Sequence, residues 1–158
     1  MDVRLRPLRD EELPAFIEHG RAAYARDMVA QAGLTPEQAE QKAESDWARL
    51  LPNGEVPAGH HLFAVEEEES GERVGSLWIA ERSSDFEGTA AFVYSIEIAE
   101  AFRGRGYGKQ AMLLAEDEVR VRGLSHIALN VFGGNEIARS LYRSLGYTET
   151  AVFMRKAV

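Results

Sequence analysis

The sequence predicts an α/β fold of the α+β type, built on a mixed, mostly antiparallel sheet with helices on its faces. Two observations carry the prediction. The β-rich runs "HHLFAVEEE" and "RVGSLWIAE" are joined by "EESGE", which is the pattern of an antiparallel hairpin. Later a strand, a helix and another strand follow one another in "TAAFVYSIEIAE", "KQAMLLAEDEVRVRG" and "HIALNVF", an order that calls for a crossover connection.

Each element has its own local reason. "DVRLRPL" alternates apolar and basic residues and reads as a first strand. Asp10 is placed to cap a helix whose apolar positions are Leu13, Phe16, Ile17, Ala23 and Tyr24. A second helix opens with Thr35 as cap and Pro36 in first position, carries Glu37 and Glu40 near the positive end of its dipole, and ends at Pro52 and Gly54. The hairpin follows, with the acidic run Glu66 to Glu69 at its tip, either a solvated turn or a binding surface. Strict alternation in the next strand puts Phe92, Tyr94, Ile96 and Ile98 on one face and Val93, Ser95 and Glu97 on the other. Ala111, Leu114, Ala115 and Val119 form the stripe of a third helix, which Gly123 ends. "HIALNVF" is a short buried strand. Asn135 caps a fourth helix with Ile137, Ala138, Leu141, Tyr142 and Leu145 on one side, and Gly146 closes it. "YTETAVFMRKAV" reads as a final strand or a bent pair of strands.

The bulk numbers restrict the function classes. A chain of 158 residues suits one domain over 1–158 with one core. Hydrophobic residues at 45% and charged residues at 28% fit a soluble globular protein, and no apolar run is long enough to span a bilayer. "MDVRLRPLRD" has no apolar signal-peptide core. The absence of cysteine excludes disulfides, thiolate metal sites and a cysteine nucleophile, and together these features lead us to expect a cytoplasmic protein without a membrane partner. A net charge of -8 argues against a nucleic-acid partner; it is compatible with a cationic or amine-bearing partner and equally with simple solubility. His60 and His61 are adjacent in a strand and point to opposite sides, while His19 and His126 have no obvious partners, so no metal site is expected. There is no Gly-x-Ser-x-Gly elbow for a serine nucleophile.

The chemistry is concentrated between the fourth strand and the third helix, where "RGRGYG" runs from Arg103 to Gly108. A glycine-rich turn that opens a helix presents unpaired N–H groups at the positive end of the helix dipole, a ready site for phosphate or diphosphate. Arg103, Arg105 and Lys109 add positive charge around it; an ordinary tight connection with solvated basic residues would look the same. Two familiar phosphate motifs fail. Counting from Gly104 and Gly106, the dinucleotide pattern G-x-G-x-x-G meets Lys109 where its third glycine should stand. A nucleotide P-loop needs Ser or Thr after Gly-Lys, and here Gln110 follows Lys109, with Arg103 where the first glycine belongs.

The pattern that does match is Arg or Gln, two residues, Gly, any residue, then Gly or Ala. On "RGRGYG", and on "LNVFGGNEIARSLYRSLGY" with Asn135, Ala138, Leu141, Tyr142, Gly146 and Tyr147 at the spacing of a second signature, the chain resembles the GNAT superfamily of N-acetyltransferases from about Val93 to Tyr147. The resemblance implies a mixed, mostly antiparallel sheet of six or seven strands, splayed between the fourth and fifth, with about four helices on its faces. It implies acetyl-CoA as cosubstrate: the pantetheine arm along Ile96, Glu97 and Ile98, the diphosphate over the amides of Arg103, Gly104, Arg105, Gly106, Tyr107, Gly108 and Lys109, and Asn135 touching the arm as well as capping its helix. It also implies a reaction, the transfer of an acetyl group to a primary amine of a small molecule or peptide by direct attack in a ternary complex.

Residue by residue, the resemblance makes Tyr142 the acid for the leaving thiolate and Glu97 the base, acting through water; a core tyrosine and a salt-bridged or exposed glutamate are the plain alternatives. Partial burial of Glu97 between two isoleucines would raise its pKa toward a useful range. Ser95, two residues away, would line the acceptor pocket. Tyr24, Met28, Trp47, Phe63 and Trp78 are either lining for the acceptor or core. Two other functions stay open at this point: a non-catalytic acyl-CoA-binding regulatory module, and a scaffold that only mediates association. Many relatives pair as homodimers through their terminal strands, a state this sequence does not itself establish.

Overall fold

The computed structural model describes residues 2–84 and 88–158. The chain runs β1 (Val3–Pro7), a 3-10 turn, α1 (Leu13–Ala32), α2 (Pro36–Leu50), β2 (His60–Glu67), β3 (Arg73–Ser84), β4 (Gly88–Ile98), a second 3-10 turn, α3 (Tyr107–Val121), β5 (Ile127–Leu129) and α4 (Glu136–Ser144). Among the described residues the strands form one sheet in the order β1-β2-β3-β4-β5, with every neighbouring pair antiparallel except β4 and β5. The mixed, mostly antiparallel sheet with four helices is therefore as expected, but it has five strands rather than six or seven. The difference is the C-terminal segment: residues 147–158 form no strand, and Val152, Phe153 and Met154 stand 73–90% exposed.

The sheet is the middle layer. On one face α3 packs Tyr107, Ala111, Met112, Ala115 and Val119 against Phe63, Val65, Val74, Leu77, Ile79, Ala91 and Val93. On the other, Phe16 of α1, Trp47 of α2 and Leu51 just beyond α2 pack against Leu62 and Trp78. The two helices touch closely, since a Cβ on Gly20 would stand 2.2 Å from the Trp47 ring. Met28, Trp47, Phe63 and Trp78 are all buried and serve the core; Tyr24 is half-buried and donates its hydroxyl to Asp46 at 3.0 Å.

The caps follow the sequence at α2 and α4. Thr35 Oγ1 accepts from Gln38 N–H (3.2 Å) while Gln38 Oε1 accepts from Thr35 N–H (3.0 Å), a reciprocal capping box. Asn135 Oδ1 accepts from Ala138 N–H at 3.2 Å. Gly123 ends α3 in the left-handed region at φ 73°. Asp10 does not cap α1: it opens the 3-10 turn Asp10–Glu12, and α1 then starts at Leu13 with Pro14 in its first turn. Glu12 is taken by the Arg6 guanidinium (2.9 and 3.0 Å) and the Arg9 N–H (2.8 Å).

The strict alternation expected for β4 is broken once. Trp78 pairs with Ser95 but the next residue, Ile79, pairs with Val93, so Tyr94 is an extra residue in β4. A bulge of this kind reverses the phase of every side chain beyond it. Phe92 and Tyr94 lie on the α1/α2 face beside Trp78, whereas Ile96 and Ile98 join Val93 on the α3 face. The single face predicted for Phe92, Tyr94, Ile96 and Ile98 is corrected accordingly.

Candidate active site

The site is built at the end of β4, where the sheet divides. β5 pairs with β4 only at Ala91, Phe92 and Val93. Beyond Val93, β4 keeps its partner β3 and has no register with β5, so the stretch Tyr94–Ile98 borders a split. The expected splay between the fourth and fifth strands is thus present, and the predicted arm-binding residues Ile96, Glu97 and Ile98 lie along it. On its other side β4 is held tightly to β3, since a Cβ on Gly75 would stand 2.2 Å from the Glu97 carbonyl oxygen.

After Ile98 the chain makes a 3-10 turn over Glu100–Phe102 and enters the glycine segment. Gly104 and Gly106 take φ of 74° and 83°, in the left-handed region that glycine occupies without penalty. Gly106 is the N-cap of α3 and brings no side chain to it, and the first helical bond runs from Gln110 N–H to the Gly106 carbonyl at 3.1 Å. The amides of Tyr107, Gly108 and Lys109 therefore precede the helical ladder, as the first donors of any α-helix do, at its positive end. A Cβ on Gly108 would stand 3.6 Å from Leu141 and 3.8 Å from Ile98, so the turn lies between the end of β4 and α4.

The basic side chains of the turn fold back onto it. Arg103 Nε donates to the Ile98 carbonyl (2.9 Å), and Arg105 Nη2 donates to the Ala101 carbonyl (3.2 Å) with its guanidinium 5.3 Å from the Phe102 ring centre. Lys109 is exposed. Tyr107 differs from its neighbours: its ring is 2% exposed and belongs to the core, which leaves only its main chain at the turn.

Tyr142 lies on α4, packed against the α3-side core and tilted against Tyr147 with ring centres 5.8 Å apart. Burial raises its pKa above the ordinary tyrosine value, which keeps the hydroxyl protonated at neutral pH. It is one residue from Leu141, the side chain that meets Gly108, so α4 brings Tyr142 to the same end of the split as the glycine turn. Asn135, at the start of that helix, is engaged as its cap.

Glu97 lies on the opposite face of β4 and looks toward α1. Its Oε1 accepts from His19 Nε2 at 3.0 Å. Asp27, two turns further along α1, has its carboxyl pushed up by desolvation, with Arg26 opposing and the Glu97 charge adding to the shift. The α1-facing side of β4 thus gathers an imidazole and two carboxylates. The sequence offered no partner for His19, because 78 residues separate it from Glu97 and no local pattern spans that distance. Among the described residues no group of three or more His, Asp or Glu could hold a metal ion. A groove of about 460 Å³ between α1 and α2, lined by Arg21, Ala25, Arg26, Val29 and Glu40, includes neither the glycine turn nor Glu97, His19, Asp27 or Tyr142.

These features agree with what the chain resembles. The model of the acetyltransferase (GNAT) family matches residues 17–147. The chain is 33% identical over 156 residues to the uncharacterized N-acetyltransferase YycN of Bacillus subtilis, covering 99% of both, and 31% identical to the uncharacterized N-acetyltransferase YdgE of the same organism, covering 99% and 98%. The crystal structure of YycN superposes with a TM-score of 0.90 at 32% identity, over 99% of this chain and 98% of that one. Mycothiol acetyltransferase of Thermobispora bispora is 32% identical over 155 residues, which is 95% of this chain and 48% of that protein. Among the described residues no helix is long and apolar enough to cross a membrane. The chain belongs to the GNAT acetyltransferase family and is an acetyl-CoA-dependent N-acetyltransferase.

Proposed function

We propose that residues 1–158 act as one catalytic domain that moves the acetyl group of acetyl-CoA to a primary amine of a small molecule or peptide, by direct attack in a ternary complex. The observation that carries this reading is the coincidence at one end of β4: the start of α3 with no side-chain cap, the split beyond Val93, and Tyr142 beside Leu141 all meet there. The amides of 103–109 hold the diphosphate, and the pantetheine arm lies along Ile96–Ile98. Asn135, beyond its cap, contacts the arm from α4.

The chemistry needs two proton movements. The acceptor ammonium loses a proton, the neutral amine attacks the thioester carbonyl, and the departing thiolate gains a proton. Tyr142 supplies the second proton; its raised pKa keeps it in the acid form. Glu97 receives the first, through water, and His19 shares its carboxylate. Glu97 and Asp27 together favour a cationic acceptor on the α1 side. Holding the two reactants in line contributes up to roughly 7–11 kcal/mol, and acid–base help adds about 10²–10⁴-fold. Without cysteine in the chain, no acyl-cysteine intermediate forms, which favours a ternary complex.

The test is a panel of amines, including polyamines, aminoglycosides, peptide amines and mycothiol-type acceptors after the relatives of that name, incubated with acetyl-CoA while released thiol is followed. At least one amine should give turnover whose initial rates intersect in a double-reciprocal plot. CoA binding without turnover across the panel would count against catalysis and for a regulatory module.

A further inference from the structure

The acidic hairpin tip is neither a solvated run nor a free binding surface at its first two members. Glu66, 6% exposed, is held by Arg6 Nε (2.6 Å) and Arg4 Nη2 (3.1 Å). Glu67, 4% exposed, accepts at Oε2 from the Ser70 hydroxyl (2.9 Å) and at Oε1 from the Tyr107 hydroxyl. Tyr107 is the first residue of α3 and sits between Gly106 and Gly108, so the carboxylate is joined directly to the helical turn that presents the amides. The Tyr107 hydrogen bond, then that of Ser70, holds the Glu67 carboxyl below the usual range, with the Arg105 charge acting in the same direction. Glu67 is therefore an anion at neutral pH, fully engaged by hydroxyls.

A second tie reaches the same place. Val3 N–H donates to Gln110 Oε1 at 3.0 Å, and Val3 is the residue directly opposite Glu67 in the β1–β2 ladder. One rung of the sheet thus holds residues 107 and 110, the two ends of the first turn of α3. The amides between them have no side-chain cap to orient them, because Gly106 supplies none. Gly104 and Gly106 also leave the backbone before the helix free to turn about its left-handed dihedrals. Contacts beyond the turn help to orient it, and the buried Tyr107–Glu67 bond is one that reaches it directly.

We propose that Glu67 is a positioning residue for the diphosphate-binding turn, acting through the Tyr107 hydroxyl to fix the direction of the amides at 106–109. This rests on the reading of those amides as the diphosphate site. It makes a demand that a merely stabilising hydrogen bond does not: only substrates carrying the diphosphate should sense it. The enzyme is assayed with acetyl-CoA and with S-acetyl-pantetheine, which keeps the thioester and the arm and lacks the diphosphate.

In Glu67→Gln the KM for acetyl-CoA should rise about three- to tenfold, because the neutral amide oxygen can still accept from Tyr107 but without charge assistance, with kcat changing less than about twofold. The kinetics with S-acetyl-pantetheine and the KM for the amine should stay as they are. Tyr107→Phe should raise the acetyl-CoA KM at least as much, and the double variant should be no worse than Tyr107→Phe alone, since Gln weakens and Phe removes the same bond. Ser70→Ala removes only the second hydroxyl and should cost about two- to threefold, which keeps the test open if the other variants fold poorly. If the wild type prefers acetyl-CoA and these variants keep that preference, or lose activity equally with both thioesters, the positioning role is overturned. If the wild type uses the two thioesters with equal KM, the diphosphate site itself falls, and the positioning role with it.

Discussion

On the α3 side of β4, Val93, Ile96 and Ile98 face a packed core, and the chain runs on into a turn whose functional groups are main-chain amides. On the α1/α2 side, Tyr94 and Glu97 meet side chains: His60 stacks on Tyr94, Trp78 is tilted against it, and His19 binds Glu97. Under the proposed function the same strand serves cofactor and acceptor by different means. An amide array depends on backbone conformation, and glycine marks that conformation in the sequence. A side-chain array depends on which distant residues arrive nearby, and nothing local marks it.

The largest expected effect should come from the amide side. Gly106→Val puts a β-branched residue at φ 83°, where L-residues are strained by roughly 1–2 kcal/mol or more. The strain redirects the turn, so kcat/KM for acetyl-CoA should drop by about 10²-fold or more while circular dichroism stays native. Retained CoA affinity in that variant would break the contrast between the faces.

Next in size is Tyr142→Phe, which should lower kcat by about 10²-fold and leave both KM values nearly unchanged. The raised pKa has a definite sign here. A tyrosine whose folded pKa lies above about 10 keeps its acid form to higher pH than a free one, so the alkaline loss of kcat due to this group should begin above that value. An alkaline limb near neutrality that survives the Phe substitution would point to another acid.

Smaller still, Glu97→Gln should reduce kcat/KM for the amine by about tenfold and His19→Ala by about threefold, with the double variant close to Glu97→Gln alone because the two groups form one unit. CoA binding measured by calorimetry should not change in either. A loss of CoA affinity would show that the two faces are not separate.

The smallest functional effect should come from a region belonging to neither face. The Arg6 guanidinium and the Arg9 amide hold Glu12 at a pKa of about 2. A carboxylate with a depressed folded pKa stabilises above its unfolded value, and that contribution fades as pH falls from about 4.5 toward 2. Glu12→Gln should thus cost about 1–2 kcal/mol in urea unfolding at pH 7 and progressively less below pH 4, with kinetics unaffected.

The element order, the caps at Thr35, Asn135 and Gly123, and the glycine turn were all legible in the chain, because each depends on dihedral preferences or hydrogen bonds within a few residues. What failed did so for a nonlocal reason. The bulge at Tyr94 arises from pairing with β3, and one inserted residue was enough to move Ile96 and Ile98 to the other face. Residues 147–158 alternate well enough to be read as strand, yet pattern alone supplies no neighbour to pair with. Asp10 looked like a cap, but Arg6 and Arg9 engaged Glu12 and shifted the helix start.

By itself the sequence determined much of the backbone chemistry: where glycine permits left-handed dihedrals, and where Thr35 and Asn135 cap their helices. Only the tertiary structure decided which side chains meet, joining Glu97 to His19 across 78 residues and Glu67 to Tyr107 across 40. Local dihedral energies act on neighbours in the chain, so a sequence displays them directly. Long-range pairs form only when the whole sheet has closed around its core, and their identity belongs to the fold.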